Sequence, residues 1–570
     1  MTHPRHLLAV LALALCPWAS AAAAPSAPAR PVRLSQLAIP GDPAFVRVAR
    51  DVIDVVFAID PSIAANGGLF DDAVRVPSYT PAVVDALVTR LDKDLAAMRT
   101  MPWRSWDADA QIDLRWVFAN AETARRQLAL ERAFVHRPAA WLEPLANDLI
   151  AFTSYVPEDR ARPARVWALV PAMLAEVRQL AKQVTARDRE TAQRLLLALS
   201  DMARADGSAA ARTAAHELVA YRAELSAQTP AREFAVIGAD QFAWRLAHSM
   251  LVTLSPAELL AAARAELARI DGELAELKPR LGKPATATSE VRKRAQSLAR
   301  AGLLQLYDDV EVALQKATRL AGFVTIPDRV GPIRARETPD AMVPLTGDGG
   351  SMTPPPTFVS SNVGYWNVEH FRDDWSEDQR LETVTTFDGW QGNFMGPYAA
   401  HEGFPGHHLQ LAIARLHADP IRSILPDGVQ NEGWGLYAEE ELWRHGGLGA
   451  SPAARAAILR SYRFRAARVV YDVNIETGVW DLQTGADFQQ RVAKGKGKVN
   501  EDVLRSIQWP TQLSWYFTGK MQIVALKAEY KRKRGAAYSD REFHDAFLAE
   551  GSIPIALIRC KLLGEPVPPL

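Results

Sequence analysis

Residues 258–281 read ELLAAARAELARIDGELAELKPRL. Apolar residues recur at spacings of three and four among abundant Ala, Leu, Glu and Arg, the signature of an amphipathic helix. Residues 195–207, LLLALSDMARADG, repeat the pattern, and it runs through about Ser78 to Leu320. Between about Gly322 and Val368 the character changes. FVTIP at 323–327, the Pro-rich SMTPPPTFVSS at 351–361 and the Gly349-Gly350 pair supply β-branched residues, helix breakers and turns, which predict short strands and loops. Helical periodicity then returns almost to the C-terminus. The expectation is an all-α protein, a large helical array with a small β/loop insertion near residues 322–368. No fixed-period repeat and no long polar linker divides the array, so residues 41–570 read as a single domain.

A chain of 570 residues with 48% hydrophobic content buries an ordinary globular core. Its 66 basic and 66 acidic residues cancel, so the overall charge favours neither nucleic acid nor an anionic membrane surface. Specificity has to come from a local site.

The N-terminus carries Arg5, a short apolar run from Leu7 to Leu15, and the small residues Ala19-Ser20-Ala21. That is the pattern of a secretory signal over residues 1–21, too short for a spanning helix. Residues 22–40, rich in Ala and Pro, read as a flexible lead-in. The expectation is an exported, periplasmic protein. The alternative is a lipoprotein anchored through Cys16, although bulky Leu15 precedes that cysteine where such sites carry a small residue. Cleavage near Ala21 leaves Cys560 as the one remaining cysteine, a buried small hydrophobe without an internal disulfide. No later segment approaches eighteen uncharged apolar residues, so no transmembrane span is expected.

Three of the twelve histidines fall within the eight residues 401–408 of GPYAAHEGFPGHHLQLAIARLHADP at 396–420. Pro397 suits a first helical turn and Asp419-Pro420 an end, which predicts one helix of about six turns. In the zinc-peptidase motif HExxH, two histidines four apart on one helical face bind the metal and the intervening Glu acts as general base. Here Pro405 occupies the second histidine's place. On an unbroken helix His401 and His407 would stand about 9 Å apart along the axis, too far to share an ion. Pro405 clashes with the carbonyl four residues back and, with Gly406, allows a bulge. Extruding two residues brings His407 into position; extruding three selects His408. We expect His401 and His407 as ligands, with His408 as a supporting partner or substrate contact. The pair His216-Glu217, with no second histidine nearby, is read as an ordinary surface pair.

A hydrolytic zinc site needs a third ligand and an open position for water. VQNEGWGLYAEEELWRHGG at 429–447 offers one: Asn431 suits a helix cap, Glu432 its first turn, and His445 with Gly446-Gly447 its end. Twenty-five positions separate His407 from Glu432, enough for a helix to finish, turn and return antiparallel. Glu439, two turns further on, either orients a ligand or belongs to a solvated run with Glu440 and Glu441.

HEGFPGHHLQ followed by NEGWGLYAEE resembles the signature of the bacterial domain-of-unknown-function 885 family, regarded as helical metallopeptidases, and the likeness runs from about Phe45 to the C-terminus. More distantly it resembles the helical gluzincins, in which two histidines and a glutamate hold zinc within a long central channel. The resemblance implies one Zn²⁺ held by His401, His407 and Glu432, with Glu402 as catalytic base and the helices arranged around a central active-site channel. WPTQLSWYFTGKMQI at 509–523 resembles a further family block, and Tyr516 there is expected to donate its hydroxyl to a developing oxyanion; a buried aromatic with its hydroxyl satisfied locally is the plain alternative. RVVYDVNIETGVWDLQ at 468–483 departs from its block: Glu476 replaces an Asp, and Trp480 stands where the family carries a His. Arg468 and Asp472 remain as residues that brace the site.

The function expected is hydrolysis of peptide bonds in short peptides by metal-activated water, with Glu402 as general base. Segment 322–368 would offer an extended edge to a peptide backbone. The competing expectations are an envelope metal-dependent amidase or esterase on a non-peptide substrate, and a non-catalytic helical envelope protein.

Overall fold

The periodic stretch at 258–281 folds as expected. Ser255 caps the helix by accepting the Glu258 N–H, Glu258 reaches back to the Ser255 N–H, and Pro256 occupies the first turn. Such reciprocal capping satisfies two donors that a helix start leaves free. Leu259, Ala263, Leu267 and Ile270 form the buried stripe. The computed structural model describes residues 33–231, 236–282, 287–493 and 499–570. The expected signal segment 1–21, Cys16 and the lead-in as far as residue 32 lie outside them. The described residues pack as one unit. Among the described residues no helix is long and apolar enough to cross a membrane.

The elements that build the site follow in chain order: α1 (Ala108–Arg126), α2 (Pro256–Leu277) and α3 (Arg300–Ala321), then the strands β1 (Ile333–Glu337), β2 (Ser351–Thr353) and β3 (Gly364–Val368). After them come α4 (Met395–Glu402), α5 (His407–Ala414), α6 (Gly428–Arg444), α7 (Pro452–Glu476), α8 (Glu501–Gln508), α9 (Gln512–Arg534) and α10 (Asp540–Ala549). The β insertion is thus real and small. Its order is β1-β3-β2, with β1 parallel and β2 antiparallel to β3, so β2 is an edge strand.

The core is a set of helices crossing around α6. Helix α6 packs on α9, α4 and α5, while α7 packs on α2, α9 and α4. The crossing of α6 with α9 is a close one. A Cβ added at Gly433 would collide with the backbone of Gly519, and one added at Gly519 would collide with the Val429 carbonyl. Small residues here let two backbones approach to a distance that side chains forbid.

Two local expectations are corrected. The six-turn helix with a bulge is two helices: α4 ends at Glu402 and α5 begins at His407, with Gly403-Phe404-Pro405-Gly406 between them and a cis peptide at Phe404-Pro405. The buried carboxylate of Glu311, from α3, accepts the Phe404 N–H at 3.3 Å and occupies the space a Cβ at Gly403 would need. The backbone freed by the break therefore finds a partner from another helix. The second correction concerns α6, which starts at Gly428 with Asp427 as its cap, accepting the Gln430 N–H at 2.6 Å. Asn431 lies inside the helix, and Glu432 in its second turn.

Candidate metal centre

Ending α4 at Glu402 and restarting at His407 does what a bulge was expected to do. His401 is the penultimate residue of α4 and His407 the first of α5, and their rings lie 4.5 Å apart at 79°. Both face Glu432 of α6: His401 Nε2 is 3.4 Å and His407 Nε2 3.3 Å from the same carboxylate oxygen, Oε2. One donor atom from each of the three residues lies within 4.8 Å of the others. All three are largely withdrawn from solvent.

The ring of His401 is held from behind. Its Nδ1–H donates to Glu439 Oε1 at 2.9 Å, which leaves Nε2 facing Glu432. Glu439 also accepts from Ser461 Oγ at 2.6 Å, and Ser461 accepts from Arg465 Nη1 at 2.8 Å. A continuous chain, Arg465–Ser461–Glu439–His401, therefore runs from α7 through α6 to α4. Gly435 of α6 gives the imidazole its room: a Cβ there would stand 2.7 to 3.0 Å from the ring atoms. Two glycines of the NEGWG stretch thus have separate tasks, Gly433 at the helix crossing and Gly435 under His401.

The electrostatics of the cluster follow from burial against pairing. Burial opposes charge on His401, but hydrogen bonds to Glu432 and Glu439 outweigh it and raise the imidazole to about 10. Burial likewise opposes the Glu432 charge, and the charges of His407 and His401 hold its carboxyl well below the usual range. Glu402 is buried without a hydrogen-bonded cation, so burial pushes its carboxyl up against the pull of His401 and His407.

His408 goes elsewhere. It is fully buried, its Nε2 meets the Gly331 carbonyl at 2.8 Å, and its ring packs edge-on to Phe404. Burial lowers its pKa to about 4, so it stays neutral and ties α5 to the loop before β1. Glu440 and Glu441 are not solvated either; they are buried and paired with Lys520 and Lys527 of α9, each at 2.7 Å. The His216 side chain is 83% exposed and belongs to no such cluster among the described residues.

The centre opens into a cavity of about 1040 Å³. His401, Glu402, His407, Glu432 and Tyr516 line it, as do Ser351 and Met352 of the edge strand β2. Tyr516 stacks on His401 at 5.9 Å between ring centres, and its hydroxyl accepts from Gln512 Nε2 at 3.4 Å. Arg468 lies over the tyrosine ring, 4.9 Å from its centre, and is fixed by Asp502 at 2.5 Å. Arg468 therefore packs against Tyr516. Asp472 does not reach the cavity: it is buried, accepts from Ser514 Oγ at 2.6 Å, and burial raises its carboxyl to about 7. Trp480 and Glu476 line a separate cavity of about 700 Å³.

Sequence reading missed Ser461, Arg465, Asp502 and Arg505. Ser461 and Arg465 stand one turn apart on α7, but Arg463 and Arg468 lie close by in SYRFRAARVV, and spacing alone does not single out Arg465.

Fold and site together define an all-helical protein with a candidate two-histidine, one-glutamate metal centre at the break between two short helices. The chain belongs to the DUF885 family: a family model described as bacterial protein of unknown function matches residues 197–562, a shorter reach than the likeness expected from Phe45 onward. No curated protein matches it. Two solved structures share its fold. One is described as a lipoprotein of unknown function from Shewanella oneidensis, with a TM-score of 0.70 and 18% identity over 91% of this chain and 99% of that one. The other is described as a lipoprotein from Colwellia psychrerythraea, with a TM-score of 0.70 and 16% identity over the same shares.

Proposed function

We propose that the protein is a zinc-dependent hydrolase that cleaves peptide bonds of short peptides. The observation that carries this reading is the convergence of His401, His407 and Glu432 within 4.8 Å, with Glu402 next to the first ligand and a large cavity in front. Two imidazoles and one carboxylate form the donor set of a hydrolytic zinc site, which leaves a position for water. Three features support the fit: the His401 tautomer held by Glu439, the room left by Gly435, and the buried His407 Nε2 aimed at the same oxygen of Glu432. Zn²⁺ bound there would polarise a scissile carbonyl and lower the pKa of a water molecule.

The chain's own residues supply the rest. Glu402, buried beside the ligands, takes the proton of the attacking water and passes it to the leaving amine. Tyr516, packed against His401 and Arg468, donates its hydroxyl to the oxygen that gains charge. The edge strand β2 borders the cavity and offers a backbone for an extended peptide to pair with. This favours a peptide over a non-peptide amide or ester.

Metal analysis and turnover on short peptides, beside amide and ester substrates, test the reading. Glu402→Gln should keep about one zinc per chain and lose turnover, whereas His401→Ala and Glu432→Ala should lose the metal. Full activity in Glu402→Gln, or wild-type protein that binds no zinc, would sink it. We also place the protein in the cell envelope, on the signal pattern of residues 1–21 and the descriptions of the two fold relatives. Fractionation with Cys16→Ala separates soluble export from a lipid anchor.

A further inference from the structure

The cavity wall beyond the metal centre is rich in arginine. Arg187, Arg194, Arg465, Arg468 and Arg505 all line it. Away from Glu402 and Glu432, the carboxylates lining it are Glu190 and Asp502. Asp502 is already engaged: it binds Arg468 at 2.5 Å and also accepts from Gln489 and Tyr471.

Arg465 and Arg505 differ from Arg468. Among the described residues neither forms an ion pair with a carboxylate. Arg465 donates from Nη1 to Ser461, and Arg505 donates from Nη2 to Gln512 Oε1 at 2.9 Å. Both bonds are to neutral acceptors. The Nε of each is buried and has no hydrogen-bond partner. A guanidinium carries five donors in a planar fork that fits a carboxylate through two parallel bonds. Withdrawing such a group from water without a paired anion is costly; Arg465 feels the charge of Glu402 and Arg505 that of Asp502, but neither is bonded to a carboxylate, so the two guanidinium groups on one cavity wall have donors to offer an incoming anion.

We propose that Arg465 and Arg505 bind a carboxylate of the substrate, so that the preferred ligands are short peptides presenting a free carboxylate to the wall beyond the metal centre. This rests on the hydrolase reading only for the word substrate; the binding preference stands on the arginines. A carboxylate can come from the peptide's C-terminus or from an acidic side chain, and both would use the same fork. Arg465 touches the chain that orients His401, whereas Arg505 reaches Tyr516 only through Gln512, so Arg505 is the probe used, and binding rather than turnover is the readout.

The test uses full-length zinc-loaded protein carrying Glu402→Gln, which removes the proposed base, and measures binding by calorimetry. One arm compares trialanine with its C-terminal amide. The other compares two amidated tripeptides that differ only in a central glutamate or glutamine. We expect a carboxylate to improve affinity about tenfold or more in at least one arm, as a hydrogen bond to a charged group does. Adding Arg505→Gln should collapse that ratio toward one, and Arg505→Lys should restore part of it, since lysine keeps the charge but not the fork. The arm that responds identifies the source of the carboxylate. Equal affinity in both arms, no measurable binding of any of the four peptides, or a ratio untouched by Arg505→Gln would each overturn the proposal. Turnover of the same peptides by wild-type protein is read separately: carboxylate-selective binding without cleavage sinks the hydrolase reading and leaves the anion site standing, and cleavage without selectivity does the reverse.

Discussion

His401 and His408 show how differently two histidines of one short segment are used. His401 hydrogen-bonds through Nδ1 to Glu439 and faces Glu432 with Nε2, whereas His408 is spent on the Gly331 carbonyl. A carboxylate behind a metal-binding imidazole fixes its tautomer and raises its basicity. Glu439→Gln should therefore weaken zinc affinity about 10- to 100-fold while the fold is kept, as read by competition with a chelator; unchanged affinity would remove Glu439 from this role. His408→Ala should behave in the opposite way. It deletes a buried ring and leaves the Gly331 carbonyl without its partner, at a cost of about 2–4 kcal/mol in denaturant unfolding, yet the folded protein should still hold stoichiometric zinc.

At the scale of elements the pair α6 and α9 matters most, because α6 carries Glu432 and Glu439 while α9 carries Tyr516. Their backbones meet at Gly433 and Gly519, and Tyr516 stands one turn before the crossing. Gly519→Ala forces the helices apart, which should cost about 1–3 kcal/mol. It should also lower turnover with metal content retained, because Tyr516 moves relative to His401. The same helices are tied by Lys520 and Glu440 at 2.7 Å. Burial works against the Glu440 charge, but Lys520 and then Arg444 outweigh it, and its carboxyl lies well below the usual range. A folded-state pKa lowered in this way contributes stability that is complete above the unfolded value of about 4.3 and is lost as pH falls further. Urea midpoints should accordingly drop below about pH 4.3, and Glu440→Gln should be less stable at pH 7 but flatter across the acid range.

Across the whole molecule, distant parts of the chain are joined by buried charge. Arg422 is 1% exposed and binds Asp109 and Asp113 of α1 at 2.9 and 2.7 Å, and Glu550 just beyond α10 at 2.7 Å. Arg422→Ala leaves buried carboxylates uncompensated, and a loss of about 3–5 kcal/mol in global stability is expected. Thermal unfolding checks it: a negligible shift would mean that solvent or another cation replaces the guanidinium.

The helical class was legible from periodicity, since a buried stripe at three and four is a local property and α2 could form no other regular structure with that pattern. The β insertion was legible for the same reason, through its breakers and β-branched residues. The residue types at the centre were legible too, because three histidines, a glutamate and a proline seldom fall together without use. What the sequence did not determine is how the interruption is made. Pro405 announced a break, but only packing decided that α4 stops at Glu402, that Glu311 from a distant helix meets the exposed backbone, and that His407 turns toward Glu432 while His408 turns toward Gly331. The Arg465–Ser461–Glu439 chain and the arginine wall are likewise tertiary. Their members come from elements that meet only in the folded core, and one strand of sequence carries no record of which side chains on different helices will face one another.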